Sequence, residues 1–306
     1  MNRGRWVIFG FLLGGGLASF AGATPTVKPT SRPKNKQESR SGFPLILYYH
    51  QFSSKSRDAF RAQLQGLKDQ GYQAIQSEDL VRALVTGKPL PEKSVLIHID
   101  DVYESAYQVA VPLLREFKMK AEFFAHTQFV GSEKGAKKMS WAQLRELERD
   151  PLFQVSSHTL THPDLRKTVG VEPSPQCRDY TSLLAQELKQ PILDLEKQLR
   201  PEKMPAVLAY PMGKYNSAVR AAAQEYYLLA YATELSRADS EKSESWIYEI
   251  PRTKMEPHYD LQETIAEHET RVAKLSLQSE SLKLPEGWKK RAKRWLYSGF
   301  LTEGMK

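Results

Sequence analysis

Short runs of apolar residues recur along the chain, and helical patterns separate most of them. The runs are continuously apolar rather than alternating, which is typical of parallel strands that are buried on both faces of a sheet. About seven strand–helix units suit a closed or nearly closed barrel better than an open sheet. The sequence therefore predicts an α/β fold, a distorted (β/α) barrel of about seven parallel strands with surrounding helices. The predicted strands are FPLILYYH, SVLIHI, AEFFAHT, FQVSS, PAVLAY, YYLLAYAT and WIYEI.

Two of the helical patterns carry clear end signals. RDAFRAQLQGLKDQG places Phe60, Leu64 and Leu67 on one face and ends at Gly71. SEDLVRALVTG is expected to begin with Ser77 as its cap and to end at Gly87.

The first 42 residues differ in composition from the rest of the chain. Arg3 and Arg5, the apolar stretch from Trp6 to Phe20 and the small residues Ala21 to Ala23 have the order of a secretory signal, so residues 1–23 are expected to be a signal peptide or an uncleaved anchor. Residues 24–42 are rich in proline, serine and charge and predict a flexible basic linker. The protein is therefore expected to be exported: periplasmic, associated with the cell envelope, or secreted.

The folded domain is expected over residues 43–262, with a C-terminal helix and basic tail over residues 263–306. The chain has a single cysteine, Cys177, so no disulfide can form within it.

Basic residues concentrate at the two ends of the chain. Residues 1–42 and 283–306 together hold fourteen basic and three acidic residues, whereas the whole chain carries a net charge of +8. Basic ends on a slightly acidic body suit contact with an anionic envelope or membrane surface better than nucleic acid. The alternative is that both ends are solvated and bind nothing specific.

Five ionisable residues lie at the carboxyl ends of predicted strands. His50 ends the first strand, Asp100 and Asp101 end SVLIHI, and His158 and His162 follow FQVSS. Since parallel strands in a barrel end at one rim, where active groups collect, these side chains are expected to meet there. His126 and His258 could lie near this rim, but no motif supports them. His98 is expected to be a satisfied core or strand residue and not a ligand, and His268 is expected at the surface.

The spacing of the two later histidines favours a metal site. Imidazoles at i and i+4 on a helical turn, together with one carboxylate, form a common open site for a divalent ion. Asp101 can supply that carboxylate, while the neighbouring Asp100 can accept the proton of the water that such an ion activates. The alternative is that the two acids cap the following helix. The zinc-protease HEXXH motif is excluded, because residues 159–161 are Thr, Leu and Thr.

The motifs resemble those of the polysaccharide deacetylases, the NodB-homology domain of carbohydrate esterase family 4. IDDVYESAY resembles the family's T-F-D-D-G-Y motif, SHTLTHPDL resembles its H-[ST]-x-x-H motif, and LAYPMGKYN resembles an aromatic-Pro-Tyr-Gly segment. The early LYYHQF, followed by LKDQGYQAI, is similar to the permuted order of the poly-N-acetylglucosamine deacetylase branch.

The resemblance implies a role for each matching residue. Asp101, His158 and His162 would bind a divalent metal ion, with Zn²⁺ favoured over Ni²⁺ or Co²⁺. Asp100 would be the general base, His50 the general acid, and Arg252 would orient the base. The segment from Tyr210 to Tyr215 would line the acetyl pocket or help to bind the oxyanion; its residues named as substrate-binding are Tyr210, Pro211, Met212, Gly213 and Tyr215.

Two residues depart from the family pattern. One affects the backbone after the acid pair, and the other affects the side of the site that would face the sugar. Val102 replaces the usual glycine after the acid pair, and Met212 replaces the usual aromatic after Pro211.

Three functions stay open from the sequence. The favoured one is metal-dependent N-deacetylation of an N-acetylglucosamine polysaccharide, of the poly-N-acetylglucosamine type rather than peptidoglycan. The second is a catalytically silent carbohydrate-binding relative, and the third is a protein tethered to a surface through its basic ends.

Overall fold

The computed structural model describes residues 43–172, 181–233, 246–272 and 283–299. The predicted signal or anchor, the linker, Cys177 and the last residues of the basic tail lie outside this part of the chain. The strands are β1 Leu45–Tyr49, β2 Gln73–Ile75, β3 Ser94–Asp100, β4 Ala121–Ala125, β5 Phe153–Ser157, β6 Val207–Ala209, β7 Leu229–Ala232, β8 Ile250–Pro251 and β9 Thr253–Lys254. The helices are α1 Arg57–Asp69, α2 Ser77–Thr86, α3 Glu104–Phe117, α4 Trp141–Arg149, α5 Leu183–Leu199, α6 Ser217–Tyr226, α7 Leu261–Val272 and α8 Trp288–Ser298.

The strands form one parallel sheet in the order β8-β7-β6-β5-β4-β3-β1-β9, with β2 paired to the start of β3. Both edges of this sheet belong to a single extended segment, residues 250–254. Its first half pairs with β7 and its second half with β1. Between the two halves, the Arg252 N–H donates to the carbonyl of Ala232 at 2.8 Å. The sheet thus nearly closes on itself, which confirms the predicted distorted barrel of parallel strands with surrounding helices.

Side chains of β3 alternate between the barrel interior and the helical layer. Val95, Ile97 and Ile99 pack outward with residues of α1 and α3. Leu96 and His98 point inward, where His98 contacts the rings of Phe124 and Tyr231. Asp100 has the same parity as His98 and therefore faces the interior at the top of the strand.

The start of α2 differs from the prediction. Gln76 caps this helix, and Asp79 reciprocates by accepting from the Gln76 N–H at 3.0 Å. The hydroxyl of Ser77 instead lies inside the barrel, where it donates to Glu122 and lies 2.8 Å from the hydroxyl of Tyr231. The prediction that Ser77 caps the helix was wrong, because its hydroxyl donates to the buried carboxylate of Glu122 instead. The helix ends as predicted at Gly87, which has φ 72°.

One predicted strand is shorter than its pattern. Of WIYEI, residues 246–248 form a 3₁₀ turn and only Ile250 lies in a strand. The helix that precedes β6, α5, begins at Leu183 after a Ser182 cap, whose hydroxyl oxygen accepts from the Ala185 N–H at 3.1 Å.

The basic C-terminal segment forms α8, which packs against the body of the protein. The indole N–H of Trp288 donates to the carbonyl of Leu228 at 2.8 Å, and that of Trp295 to Met204 at 2.7 Å. Both rings are buried, and the exposed side carries Lys289, Lys290 and Lys293. No helix within the described ranges has the length and apolar character needed to cross a membrane.

Candidate functional site

The structure brings the predicted acids and histidines to one rim of the barrel. Asp100 is the last residue of β3, and Asp101 follows it. His158 follows β5 directly and His50 follows β1. Because these strands are parallel neighbours, their carboxyl ends place the side chains around one opening, as expected from the sequence.

Asp101, His158 and His162 form a group that could hold a metal ion. The Oδ1 atom of Asp101 lies 3.7 Å from Nε2 of His158 and 3.6 Å from Nε2 of His162. One donor atom from each residue falls within 4.8 Å of the other two. Burial acts to raise the pKa of Asp101, but the two imidazoles outweigh it and lower that pKa below its ordinary value. An ionised carboxylate and two imidazoles are a donor set that suits Zn²⁺, Ni²⁺ or Co²⁺.

His158 is held in the tautomer that a metal requires. Its Nδ1–H donates to the carbonyl of Ala209 at 2.7 Å, which leaves the lone pair of Nε2 facing the acids. The side chain is buried, and this burial lowers its pKa to about 4, so the ring is neutral at pH 7. A carbonyl that orients a ligating imidazole in this way fits a metal centre.

The loop between the two histidines is not the helical turn that the sequence suggested. Thr159 and His162 adopt left-handed conformations with φ 70° and 59°. Glu187 of α5, which is buried, holds the loop from beneath. Its carboxylate accepts from the N–H groups of Leu160 and Thr161 at 3.1 and 2.9 Å and from the Thr161 hydroxyl at 2.6 Å. The two imidazole centroids are thereby brought to 4.7 Å.

Asp100 and Asp101 diverge because the backbone changes conformation between them. Asp100 is extended within β3, whereas Asp101 has φ 67° and Val102 has φ 44°. Such values are rare for a β-branched residue, and strain of this kind is concentrated at functional sites. Val102, which replaces the family's glycine, is fully buried in the outer core. The turn therefore accepts its side chain and sends the two carboxylates to different partners.

The partner of Asp100 is Arg252. The guanidinium donates from Nη1 to Oδ1 and from Nη2 to Oδ2, both at 2.8 Å, and both side chains are buried. Burial acts to raise the pKa of Asp100, but Arg252, with a further contribution from His158 and His50, lowers it well below the ordinary range. Asp100 is therefore an ionised carboxylate held in place beside the candidate metal ligands, with its Oδ2 atom 3.9 Å from Nε2 of His158.

His50 lies half-buried at the same rim. Its ring packs edge-on against Tyr48, with centroids 5.5 Å apart. Its electrostatic interaction with Asp100 helps to lower the pKa of that carboxyl. Tyr48 also lies beneath the Arg252 guanidinium, whose Cζ is 4.6 Å from the ring centroid.

The segment from Tyr210 to Tyr215 follows β6 at this rim. Pro211, Met212 and Gly213 form a 3₁₀ turn, and Met212 has φ 55° with its side chain 47% exposed. The rings of Tyr210 and Tyr215 stack at 5.2 Å. Tyr210 is fully buried, whereas Met212 and Lys214 of this segment are exposed to solvent.

Two residues that carry no motif also reach the site. His126 follows β4 with 5% of its surface exposed, and its Nε2 lies 3.5 Å from Oδ1 of Asp101. Burial, followed by the charge of Lys138, lowers the pKa of His126 to about 3. Lys138 places its ammonium 3.3 Å from the ring centroid of Tyr103 and helps to lower the pKa of Asp101. For His126, the usable signal was its position in the last part of the predicted parallel strand AEFFAHT.

The remaining predictions on histidines are partly wrong. His98 lies in the core, but among the described residues neither ring nitrogen has a hydrogen-bond partner, and burial lowers its pKa well below the ordinary value. His268 is buried rather than exposed. Its Nδ1 lies 3.0 Å from the Thr253 hydroxyl and its Nε2 lies 2.9 Å from the carbonyl of Pro44. This histidine therefore joins α7 to the barrel.

A family model described as Polysaccharide deacetylase matches residues 87–230. YxkH of Bacillus subtilis (strain 168), assigned by name to the polysaccharide deacetylases, is 26% identical over 227 residues, which are 72% of this chain and 74% of YxkH. The poly-β-1,6-N-acetyl-D-glucosamine N-deacetylase of Staphylococcus aureus (strain MSSA476) is 27% identical over 165 residues. That match covers 53% of this chain and about half, 55%, of the relative.

A solved deacetylase structure has a similar fold. Streptococcus pyogenes deacetylase PplD, in complex with acetate, superposes with a TM-score of 0.59 at 26% identity. The superposition covers 72% of this chain and 96% of PplD.

Proposed function

Since the chain belongs to the polysaccharide deacetylase family of hydrolases, we propose that it hydrolyses N-acetyl groups of an N-acetylglucosamine-containing polysaccharide with the help of a bound divalent metal ion. Zn²⁺ is the favoured ion. The products are acetate and a free amino sugar. The observation that carries the proposal is the pairing of two different carboxylate sites: Asp101 faces two imidazoles, while Asp100 next to it is held by Arg252.

The side chains of this site can divide the work of amide hydrolysis. A divalent ion bound to Asp101, His158 and His162 would supply Lewis acidity toward the acetyl carbonyl and lower the pKa of water. Asp100, kept ionised by Arg252, accepts the proton of the attacking water. His50, which follows the neighbouring strand β1, donates a proton to the departing nitrogen, which is a poor leaving group without it. Backbone N–H groups near residues 210–215 are candidates to bind the oxyanion.

The polysaccharide is proposed to be of the poly-β-1,6-N-acetylglucosamine type. The S. aureus relative named for that substrate supports this choice, as does the early His50 at the rim. Peptidoglycan is the alternative substrate. A catalytically silent relative is disfavoured because all five ionisable residues predicted from the motifs meet at the rim.

The protein is further proposed to act outside the cytoplasm, in the periplasm, at the cell envelope or in the medium. The signal-like residues 1–23 support export. The exposed lysines of α8 would favour an anionic surface, either glycan or membrane.

The test is acetate release by the purified, zinc-loaded protein from three substrates: poly-β-1,6-N-acetylglucosamine, chito-oligomers and peptidoglycan. We expect release from the β-1,6 polymer above the other two, loss of release after chelation, and recovery on adding Zn²⁺. An Asp100→Asn protein serves as the inactive control. A zinc-loaded wild-type protein that releases acetate from none of the three would contradict the proposed reaction. Preferred release from peptidoglycan would overturn the substrate alone.

A further inference from the structure

Helix α8 covers the face of the barrel at the amino ends of the strands, opposite the rim that carries the candidate metal site. Its two tryptophans donate to the carbonyls of Leu228 and Met204, which precede β7 and β6. The candidate site lies at the carboxyl ends of the same parallel sheet, and the length of β3 separates the two faces by roughly 20 Å. A surface that contacts α8 therefore leaves the rim accessible.

The outward side of α8 is strongly basic. Lys289, Lys290 and Lys293 are exposed, and the helix contains no acidic residue. Among the described residues, none of these three ammonium groups pairs with a carboxylate. Tyr297, which is 74% exposed, lies one turn beyond Lys293 on the same side. Lysines beside an exposed tyrosine suit the interface of a bilayer, where the aromatic ring lies at the level of the headgroups.

A groove beside α8 extends this basic surface. It has a volume of about 840 Å³, lies between the ends of α4 and α5, and is also lined by Trp295 of α8. Arg149, Lys197 and Arg200 line it, are exposed, and pair with no carboxylate within the described ranges. The outward side of α8 and this groove together form the basic face.

The acids of the groove neutralise little of this charge. Glu78 and Asp150 each form an ion pair, at 2.8 Å, with a different cation from the three named above. Burial raises the pKa of Glu148 to about 7, so its carboxyl carries only part of a charge at neutral pH. Glu202 is the other acid that lines the groove. Positive charge is therefore in excess there as well as on α8.

The chain enters the folded domain on the same face. Phe43, the first described residue, lies just before β1, and its ring packs against Trp246 with centroids 6.3 Å apart. The preceding residues include the apolar stretch 6–20 and the predicted linker 24–42, which can span at most about 65 Å. A membrane segment before residue 43 would therefore be joined to the domain at the basic face.

We propose that the basic face docks on a bilayer that contains anionic phospholipid and leaves the rim turned toward the glycan. This inference rests on the location proposed above, outside the cytoplasm, and not on the proposed reaction. The phosphodiester headgroups would pair with the unpaired lysines and arginines. A bilayer is favoured over a soluble polyanion because these cations share one face, Tyr297 is exposed among them, and the chain enters there.

The direct test is the reactivity of lysines in the full-length protein, which needs no variant to fold. The protein is acetylated with an amine-reactive reagent, alone or on mixed vesicles of phosphatidylcholine and phosphatidylglycerol, and each site is quantified by mass spectrometry. We expect the vesicles to protect Lys197, Lys289, Lys290 and Lys293 and to leave Lys214, exposed at the rim, as reactive as in solution. Protection of Lys214 with the α8 lysines still reactive would overturn the inference.

Co-sedimentation with vesicles measures how much the α8 lysines contribute. The quantity compared is the preference of the full-length protein for the mixed vesicles over phosphatidylcholine alone, so that any apolar anchor contributes equally to both. Each lysine near an anionic surface strengthens binding about fivefold. The triple variant Lys289→Gln, Lys290→Gln, Lys293→Gln is therefore expected to lose about 100-fold of this preference.

A matched control removes the same charge from the rim side of the barrel. Lys55, Lys134 and Lys137 are exposed in segments that follow β1 and β4. Their triple replacement by glutamine is expected to keep the wild-type preference. An equal loss in both triple variants would show that net charge, and not the basic face, attracts the protein to the vesicles.

Other results would also contradict the inference. A triple α8 variant with the wild-type preference would remove α8 from docking. Protection of the α8 lysines by soluble poly(glycerol phosphate) but not by vesicles would assign the basic face to an anionic polymer. Acetate release from a soluble substrate does not involve α8 and is expected to be unchanged in the triple α8 variant, so the docking and the proposed deacetylation are tested separately.

Discussion

Arg252 and Asp100 form a buried, two-pronged ion pair across the top of the barrel, with both N–H···O distances at 2.8 Å. Arg252 lies between β8 and β9, the two halves of the segment that nearly closes the sheet. The last closure of the barrel thus also positions the proposed base. The family resemblance implies that Arg252 orients the base, and the two hydrogen bonds to Asp100 are consistent with that role.

Replacing Arg252 tests whether it keeps Asp100 ionised. Without the guanidinium, burial dominates and the pKa of Asp100 rises, so the base is protonated at a higher pH. We expect the acid limb of the kcat/KM profile to move to higher pH in Arg252→Met. In Arg252→Lys, which retains the charge but loses the two-pronged geometry, we expect a smaller shift and a fall in kcat of about 10- to 100-fold. The measurement is the pH–rate profile of acetate release.

The exposed Lys254, two residues further along, provides the control for Arg252. Its ammonium pairs with Glu256 at 3.1 Å, away from Asp100. Lys254→Met is expected to keep the wild-type profile. An unshifted acid limb in Arg252→Met would show that Asp100 is not the group that titrates.

Glu187 is expected to control metal affinity without touching the metal. Glu187→Ala leaves the N–H and the hydroxyl of Thr161 without their acceptor and leaves the Leu160 N–H only the backbone carbonyl of residue 187, so the loop between His158 and His162 relaxes. We predict zinc affinity about 10- to 100-fold weaker, partly restored in Glu187→Gln, whose amide oxygen can still accept. Glu196→Ala on the same helix is the control. Unchanged affinity in a folded Glu187→Ala protein would show that the loop keeps its shape without this carboxylate.

Gly213 is expected to tolerate no side chain. A Cβ there would lie 2.0 Å from the Thr233 hydroxyl oxygen, and the backbone has φ +65°. Gly170 has φ +72° but open space around it, so Gly170→Ala reports the conformational cost alone, about 1–2 kcal/mol. We predict that Gly213→Ala lowers the free energy of unfolding by about 1–3 kcal/mol more than Gly170→Ala does. Urea denaturation of both variants measures this difference, and equal losses would contradict the steric account.

Glu122 makes stability depend on pH from inside the barrel. Burial raises its pKa from 4.5 to about 7, in spite of hydrogen bonds from Ser77 and Ser156. Between these two pH values the unfolded chain has lost the proton and the folded protein retains it. The contribution of protonated Glu122 to the stability is therefore fully present below pH 4.5 and is lost as the pH rises through about 7.

Glu122→Gln should remove this dependence. The difference in unfolding free energy between Glu122→Gln and the wild type is expected to be about 3 kcal/mol more favourable to the variant at pH 8 than at pH 4.5. This figure follows from about 1.36 kcal/mol per unit of pKa shift. Glu225→Gln on exposed α6 surface is the matched control. Urea denaturation at several pH values checks the prediction, and parallel curves for wild type and Glu122→Gln would refute the assignment to Glu122.

The sequence predicted those parts of the protein that depend on local pattern. Continuous apolar runs predicted parallel strands, and their carboxyl ends predicted the meeting of Asp100, Asp101 and His158 at one rim. The left-handed backbone at Thr159 and His162 was missed, since no glycine marks it and a distant carboxylate, Glu187, stabilises the loop.

Contacts between distant segments account for the other errors. Ser77 resembles a helix cap, but its hydroxyl is bound by Glu122, which lies 45 residues away. His268 has a polar helical neighbourhood, yet packing against β9 and Pro44 buries it. Neither relationship leaves a periodic signal in the chain.

The central claim is that the adjacent aspartates have separate tasks, Asp101 in binding the metal and Asp100 in accepting the proton. The most direct measurement pairs zinc content with the rate of acetate release for Asp100→Asn and Asp101→Asn. We predict that Asp100→Asn retains zinc at the wild-type stoichiometry and loses turnover by about 10²-fold or more, whereas Asp101→Asn loses both zinc and turnover. Full turnover in Asp100→Asn, or undiminished zinc binding in Asp101→Asn, would contradict this division.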